Sequence, residues 1–240
     1  MTPSDQHDQH AASCRCEWGL RGIDALAPAD VIIIVDVLSF STCVDVAVGR
    51  GAVVLPYAWK DSSANAFAEQ QHAELAGPRD SSRYSLSPAS FLNAPTGLRC
   101  VLPSPNGATL TLRAAATPAI VLAGCLRNAG AVARLAQKRG RTFNVCPAGE
   151  QWPDGSLRPA VEDWIGAGAI LRQLPGPKSP EADAAIAAFE QQQHALADVI
   201  ARSSSGRELI ERGYPRDVAL ATALDDSSQA PRFEGVAFVS

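Results

Sequence analysis

Four short segments bring together side chains that could do chemistry on an anion. The first is Asp36-Val37-Leu38-Ser39-Phe40-Ser41-Thr42, and the second is Ser104-Pro105-Asn106-Gly107-Ala108-Thr109. The third is Gly124-Cys125-Leu126-Arg127-Asn128. The fourth is Cys146-Pro147-Ala148-Gly149-Glu150, whose loop leads to Glu162-Asp163. Asp36 closes a strongly apolar run, where a carboxylate is costly unless it is paired or bound to a metal. Ser39, Ser41 and Thr42 precede a helical pattern, and free N–H groups at a helix start favour an anion such as phosphate. Ser104, Asn106, Gly107 and Thr109 repeat that arrangement, with a glycine that permits close backbone approach. Glu162 and Asp163 open a further helix. Carboxylates together with phosphate oxygens make the hard-oxygen site that Mg²⁺ prefers.

Each piece has a plainer reading when taken alone. Asp36 and Ser41 suit a turn and a cap. Asn106-Gly107 is a common turn dipeptide. Glu162-Asp163 is a favourable first-turn charge pair. Cys125 and Cys146 suit small core positions. The argument for a site rests on the four segments together.

The elements that must position these residues alternate between strand and helix. Residues 30–36 read as a fully buried strand, continuous and β-branched. A helix follows over 42–49, a strand over 52–57, and a helix over 61–75 with Asp61 as its N-cap. Residues 76–97 are irregular, and long loops in compact domains are often functional. Strands are expected at 99–102, 119–123 and 142–146. Helices are expected at 107–115, 129–139 and 161–174. After the Pro175–Pro180 break, helical patterns cover 181–202, 206–212 and 216–224, and a last strand covers 233–239. This order implies an α/β fold of three layers, with a mostly parallel or mixed sheet carrying helices on both faces. Ligands of such sheets bind beyond the carboxyl ends of the strands, where the four segments lie.

Composition narrows the class. A formal net charge of −4 without clustered Lys and Arg gives no footprint for nucleic acid. The apolar run Val31–Val35 is far short of the ~20 residues of a membrane helix. The polar N-terminus has no apolar signal region, so residues 1–16 are expected to be a disordered leader and the protein cytoplasmic. Residues 17–240 are then a single domain with a helical segment from about 180 to 225. Six cysteines in so core-rich a chain suit free thiols. Four histidines, two of them in the leader, argue against a histidine-rich metal site.

The four segments resemble, in order and spacing, those of the 2-phosphosulfolactate phosphatase family. That family carries a strand ending in Asp-Val-Leu before Ser/Thr residues, here Asp36 to Thr42. It carries an Asn-Gly segment before a helix, here Ser104 to Thr109, and an Asn-Ala pair opening the next helix, here Asn128-Ala129. A Cys-x-Gly-like turn and a Glu-Asp helix start follow, here Cys146 to Gly149 and Glu162-Asp163. Asp217-Val218 and Asp226-Ser227 also match, and the likeness runs from Asp30 to Pro231.

The resemblance implies Mg²⁺-dependent hydrolysis of a phosphate ester on a small sulfonated or carboxylated acid. Asp36, Glu162 and Asp163 would hold the metal, and Asp36 or Cys125 could form a phosphoenzyme. Ser39, Ser41, Thr42, Ser104, Asn106, Gly107, Thr109, Asn128, Cys146 and Gly149 would surround the phosphorylated substrate. Many relatives have an arginine where this chain has Ser39, and Arg79, Arg83 or Arg127 could supply that charge from elsewhere. A homodimer is compatible with this reading. A phosphatase for a different phosphorylated acid and a non-catalytic anion-binding protein are its rivals.

Overall fold

The computed structural model describes residues 7–58 and 62–240. Strand β1 (Cys14–Cys16) is followed by helix α1 (Gly19–Ala25), β2 (Val31–Val35), α2 (Phe40–Gly49) and β3 (Val53–Tyr57). Next come α3 (Ser63–Gln70), β4 (Glu74–Leu75), β5 (Arg99–Pro103), α4 (Gly107–Ala114), β6 (Ile120–Gly124) and α5 (Ala129–Arg139). Then follow β7 (Phe143–Pro147), the short β8 (Glu150–Gln151) and β9 (Leu157–Arg158), and α6 (Val161–Leu171). The C-terminal part holds α7 (Pro180–Gln192), α8 (Leu196–Ala201), α9 (Ser204–Glu211), α10 (Pro215–Ala221), β10 (Arg232–Glu234) and β11 (Ala237–Val239).

Among the described residues, nine strands form one mixed sheet in the order β1-β7-β2-β6-β10-β11-β3-β5-β4. Two parallel blocks, β1-β7-β2-β6 and β3-β5-β4, flank the antiparallel β10–β11 hairpin. The two faces can be read from β2 alone. Val31, Ile33 and Val35 pack with residues of α5, α6 and α7, whereas Ile32 and Ile34 pack with α1 and α4. Alternate side chains of a strand point to opposite faces, so a strand covered on both sides must be apolar throughout. That is why the run Val-Ile-Ile-Ile-Val lies at the centre of a three-layer α/β structure.

Several expected elements differ. Residues 1–6 of the expected leader lie outside the described residues. Its remainder is not a loose tail: β1 pairs in parallel with β7, and Cys14 and Cys16 are fully buried. A three-residue edge strand is too short for periodicity to reveal. The helix expected over 61–75 ends at Gln70, and Glu74–Leu75 joins the sheet edge beside β5. His72, at φ +49°, turns the chain between them. Asp61 lies outside the described residues. The 147–159 loop carries the β8–β9 hairpin, and the last strand is a hairpin that turns at Gly235, φ +61°. The helix expected over 181–202 is two helices, α7 and α8. No helix among the described residues is long and apolar enough to cross a membrane.

Candidate functional site

Asp36 leaves β2 and is held by the helices that follow β2 and β5. Its Oδ1 accepts the Phe40 N–H of α2 at 3.0 Å, and its Oδ2 accepts the Gly107 N–H of α4 at 2.9 Å. One carboxylate thus caps two helix starts, where negative charge is favoured. The approach requires a glycine. A Cβ at Gly107 would stand 2.4 Å from Phe40 Cδ1 and 2.7 Å from Asp36 Oδ2. The Leu38–Ser39 peptide in the same turn is cis.

Asp163 performs a similar service beneath. Its Oδ1 accepts the Val37 N–H at 2.7 Å, and its Oδ2 accepts the Gly149 N–H at 2.9 Å. It therefore ties the loop after β2 to the loop after β7. Gly149 adopts φ +67°, and a Cβ there would stand 2.7 Å from Leu157 and 2.9 Å from the Arg158 carbonyl oxygen. Burial, then the nearby Asp36 and Glu162 carboxylates, push the Asp163 carboxyl well above its ordinary range.

Above these brackets opens a polar cleft of about 320 Å³. Asp36, Ser39, Ser104, Asn106, Glu150 and Gln151 line one side. Ser205, Glu208 and Arg212, three to four residues apart on α9 and just past its end, line another, and Arg79 and Arg158 complete the lining. The helical segment after Pro180 is therefore a wall of the cleft. Arg79 Nη2 donates to Ser39 Oγ at 3.1 Å and also to the Leu86 carbonyl. Of the three arginines considered for the charge missing at Ser39, Arg79 alone reaches it. Arg83 pairs with Glu74 at 3.8 Å, largely exposed, and Arg127 is buried against Asp45 at 3.0 Å. Arg158 Nη2 donates to Ser205 Oγ at 3.2 Å, and Arg212 Nη1 to Glu208 at 3.1 Å. A second cavity of about 490 Å³ shares Arg79, Leu86 and Arg212 with this cleft.

Glu150 lines the cleft from β8, where it is the cross-strand partner of Arg158 in the β8–β9 hairpin. Asn106 Nδ2 donates to its Oε2 at 2.8 Å. Burial, followed by the facing Asp36, raises its carboxyl to about 7, with Asn106 and Arg158 acting in the opposite sense. Among the described residues, no three His, Cys, Asp or Glu side chains are gathered as a metal cage. Asp36, Glu162 and Asp163 are thus not a ready-made ligand set, and Glu162 and Asp163 are buried away from the cleft lining. The donor chemistry still fits a cation of the Mg²⁺ kind, which takes one or two carboxylates and completes its shell with water and phosphate oxygens. Asp36, Glu150 and Glu208 are the carboxylates that line the cleft; Glu208 is paired with Arg212, and the mutual repulsion of the other two is what such a cation would relieve.

Ser41, Thr42 and Asn128 bond inward. Ser41 Oγ donates to the Ile34 carbonyl and accepts the Asp36 N–H, both at 3.1 Å. Thr42 Oγ1 donates to the Val37 carbonyl at 2.7 Å. Both hydroxyls close the β2–α2 turn and do not line the cleft. Asn128 is fully buried and bonds back to Cys125 N–H and the Ala123 carbonyl, closing the β6–α5 turn. Cys125 and Cys146 are also fully buried, and desolvation pushes both thiols up to about 12, which disfavours the thiolate a nucleophile needs. Thr109 does not line the cleft. Conversely, Gln151, Arg158, Ser205, Glu208 and Arg212 line the cleft without any site role in the sequence reading, and Glu150 stands there only as the end of the fourth segment. Glu150 directly follows the Cys146–Gly149 turn, a signal that could have marked it. Nothing local marks the α9 residues.

The chain matches the 2-phosphosulpholactate phosphatase family over residues 22–235. It is 30% identical over 213 residues to a probable 2-phosphosulfolactate phosphatase of Gloeobacter violaceus, covering 85% of this chain and 88% of that protein. It is 30% identical over 205 residues to the 2-phosphosulfolactate phosphatase of Methanothermobacter thermautotrophicus, covering 83% and 84%. A probable 2-phosphosulfolactate phosphatase of Carboxydothermus hydrogenoformans is 33% identical over 131 residues, covering 54% and 52%.

Proposed function

The chain belongs to the 2-phosphosulfolactate phosphatase family, and from that premise we propose that it is a phosphoric monoester hydrolase that cleaves 2-phosphosulfolactate with the help of Mg²⁺. The observation that carries this reading is the cleft lined by Arg79, Arg158 and Arg212 together with Asp36 and Glu150, at the starts of α2 and α4. Three arginines suit a small substrate that carries more than one anionic group, because each guanidinium reads an oxyanion through a planar fork.

Asp36 and Glu150 would hold the metal, which when bound would neutralise phosphoryl charge. The amides of Phe40 and Gly107 fix the Asp36 carboxylate, so its direction is set before substrate arrives. Asn106 holds Glu150 by Oε2. The Ser39 and Ser104 hydroxyls and the arginine N–H groups are the donors available to oxygens on phosphorus, where charge accumulates in transfer to water. Water adds to phosphorus as the ester P–O bond breaks, releasing the hydroxy acid and inorganic phosphate.

The test is phosphate release from 2-phosphosulfolactate, measured with Mg²⁺ and with EDTA. Release that the chelator abolishes is the expected result. Release that EDTA leaves unchanged removes the metal from the reading. Release only from another phosphorylated acid moves the substrate. Binding of these acids without turnover returns the chain to the anion-binding alternative.

A further inference from the structure

We propose that Asp217 is a positioning residue: from α10, outside the cleft, it aims the Arg79 guanidinium at the substrate's anionic group. The inference rests on the reading of the cleft as an anion site and adds to it a residue that does not line the cleft. Asp217 is 1% exposed. Its Oδ1 accepts the Ser87 hydroxyl at 2.6 Å and the Ala89 N–H at 3.4 Å. Its Oδ2 faces Arg79 Nε at 3.4 Å. Among the described residues neither of these last two atoms has a hydrogen-bond partner, so this ion pair is what each is left with.

A buried carboxylate without a counter-charge is strongly destabilising, so Asp217 and Arg79 depend on each other. The guanidinium is planar and rigid, and fixing one edge fixes the direction of the other. Asp217 takes the Nε edge. The Nη2 end then reaches Ser39 Oγ and the Leu86 carbonyl at the cleft wall. The Tyr214 ring, 5.4 Å from the guanidinium carbon, supports its flat face. Arg79 comes from the irregular segment after β4, which has no regular element to hold a long side chain still. The carboxylate from α10 supplies what that loop lacks.

An arginine that binds an anion equally in the ground and transition states acts on KM and leaves kcat alone. A charge-assisted hydrogen bond to an anion corresponds to about tenfold to hundredfold in affinity. D217N keeps the shape and removes the charge. It is expected to raise KM for 2-phosphosulfolactate about tenfold with kcat nearly unchanged. In an R79K background it is expected to add nothing, because the guanidinium it aims is already gone.

A purely structural Asp217 would instead multiply with R79K, and that result overturns the proposal. A second readout needs no turnover. The Arg79 Nε–H resonance, assigned by its loss in R79K, should be sharp and protected in the wild-type protein and broadened in D217N. An unchanged resonance in D217N also overturns the proposal. If the resonance responds as expected while KM and inorganic phosphate binding do not, the positioning stands and the reading of the cleft fails. Should D217N not fold, S87A loosens the same carboxylate without removing its charge. It is expected to broaden the resonance and raise KM about threefold; no change in either overturns the proposal.

Discussion

Glu150 offers a measurement that separates burial from metal binding. In the metal-free protein its carboxyl titrates at about 7 against an ordinary 4.5, chiefly because folding buries it and sets it opposite Asp36. The folded state therefore holds the proton more tightly than the unfolded state. Below the unfolded value the group is neutral in both states and no penalty arises. Above about 7 it is ionised in both, and the folded state bears the whole penalty. Stability is thus lost as pH rises between those values. The shift corresponds to about 3 kcal/mol, which the open side of the cleft reduces by screening to ~2 kcal/mol.

Glu150→Gln removes the titration and keeps an acceptor for Asn106. Urea denaturation in EDTA should show the variant gaining on the wild type from about pH 4 to about pH 8. With an m-value of about 3 kcal/mol/M, the gain is ~0.7 M in midpoint. Parallel curves for the two proteins across that range would refute the assignment. Repeating the scan with Mg²⁺ should shrink the gap, because a cation held by the ionised carboxylate offsets the penalty. A gap that Mg²⁺ does not alter would mean that Glu150 is not a ligand.

Three further outcomes are expected. Gly107→Ala forces a methyl group against Phe40 and Asp36, which should cost about 1–3 kcal/mol in urea denaturation and depress phosphate release; a fully stable and active variant would contradict the bracket at Asp36. Cys125→Ala should retain phosphate release within about twofold, since a buried thiol with a raised pKa makes a poor nucleophile, and near-complete loss in a folded variant would restore the thiol as a covalent catalyst. Arg127→Ala leaves Asp45 buried without its 3.0 Å partner and should cost about 3–5 kcal/mol; a loss below about 1 kcal/mol would show that the Ser227 hydroxyl, at 2.6 Å, suffices to hold Asp45.

Where the sequence reading succeeded, the signal was local and the physical cause was strong. The apolar run at 31–35 must be covered on two faces, and the helix over 129–139 has the expected bounds. The positions of Asp36, Ser39, Ser104 and Asn106 after strands point them to one end of the sheet, and all four line the cleft that we propose as the site. Ser41 and Thr42 were assigned on the same grounds, yet their hydroxyls bond to backbone carbonyls within seven residues. Ser and Thr side chains often satisfy the nearby chain in this way, and residue type alone does not say which course they take.

The sequence by itself determined the alternation of strands and helices, the family, and the junctions from which polar side chains emerge. These follow from periodicity and from short segments whose meaning is contained within a few residues. Only the tertiary structure decided which junctions meet. It showed that the Cys125–Asn128 turn folds inward, that α9 brings Arg212 and Ser205 opposite Asp36, and that Arg79 stands beside Ser39. Those placements depend on contacts between residues far apart in the chain, and the energy of a buried charge is set by the partner it meets rather than by its neighbours in sequence.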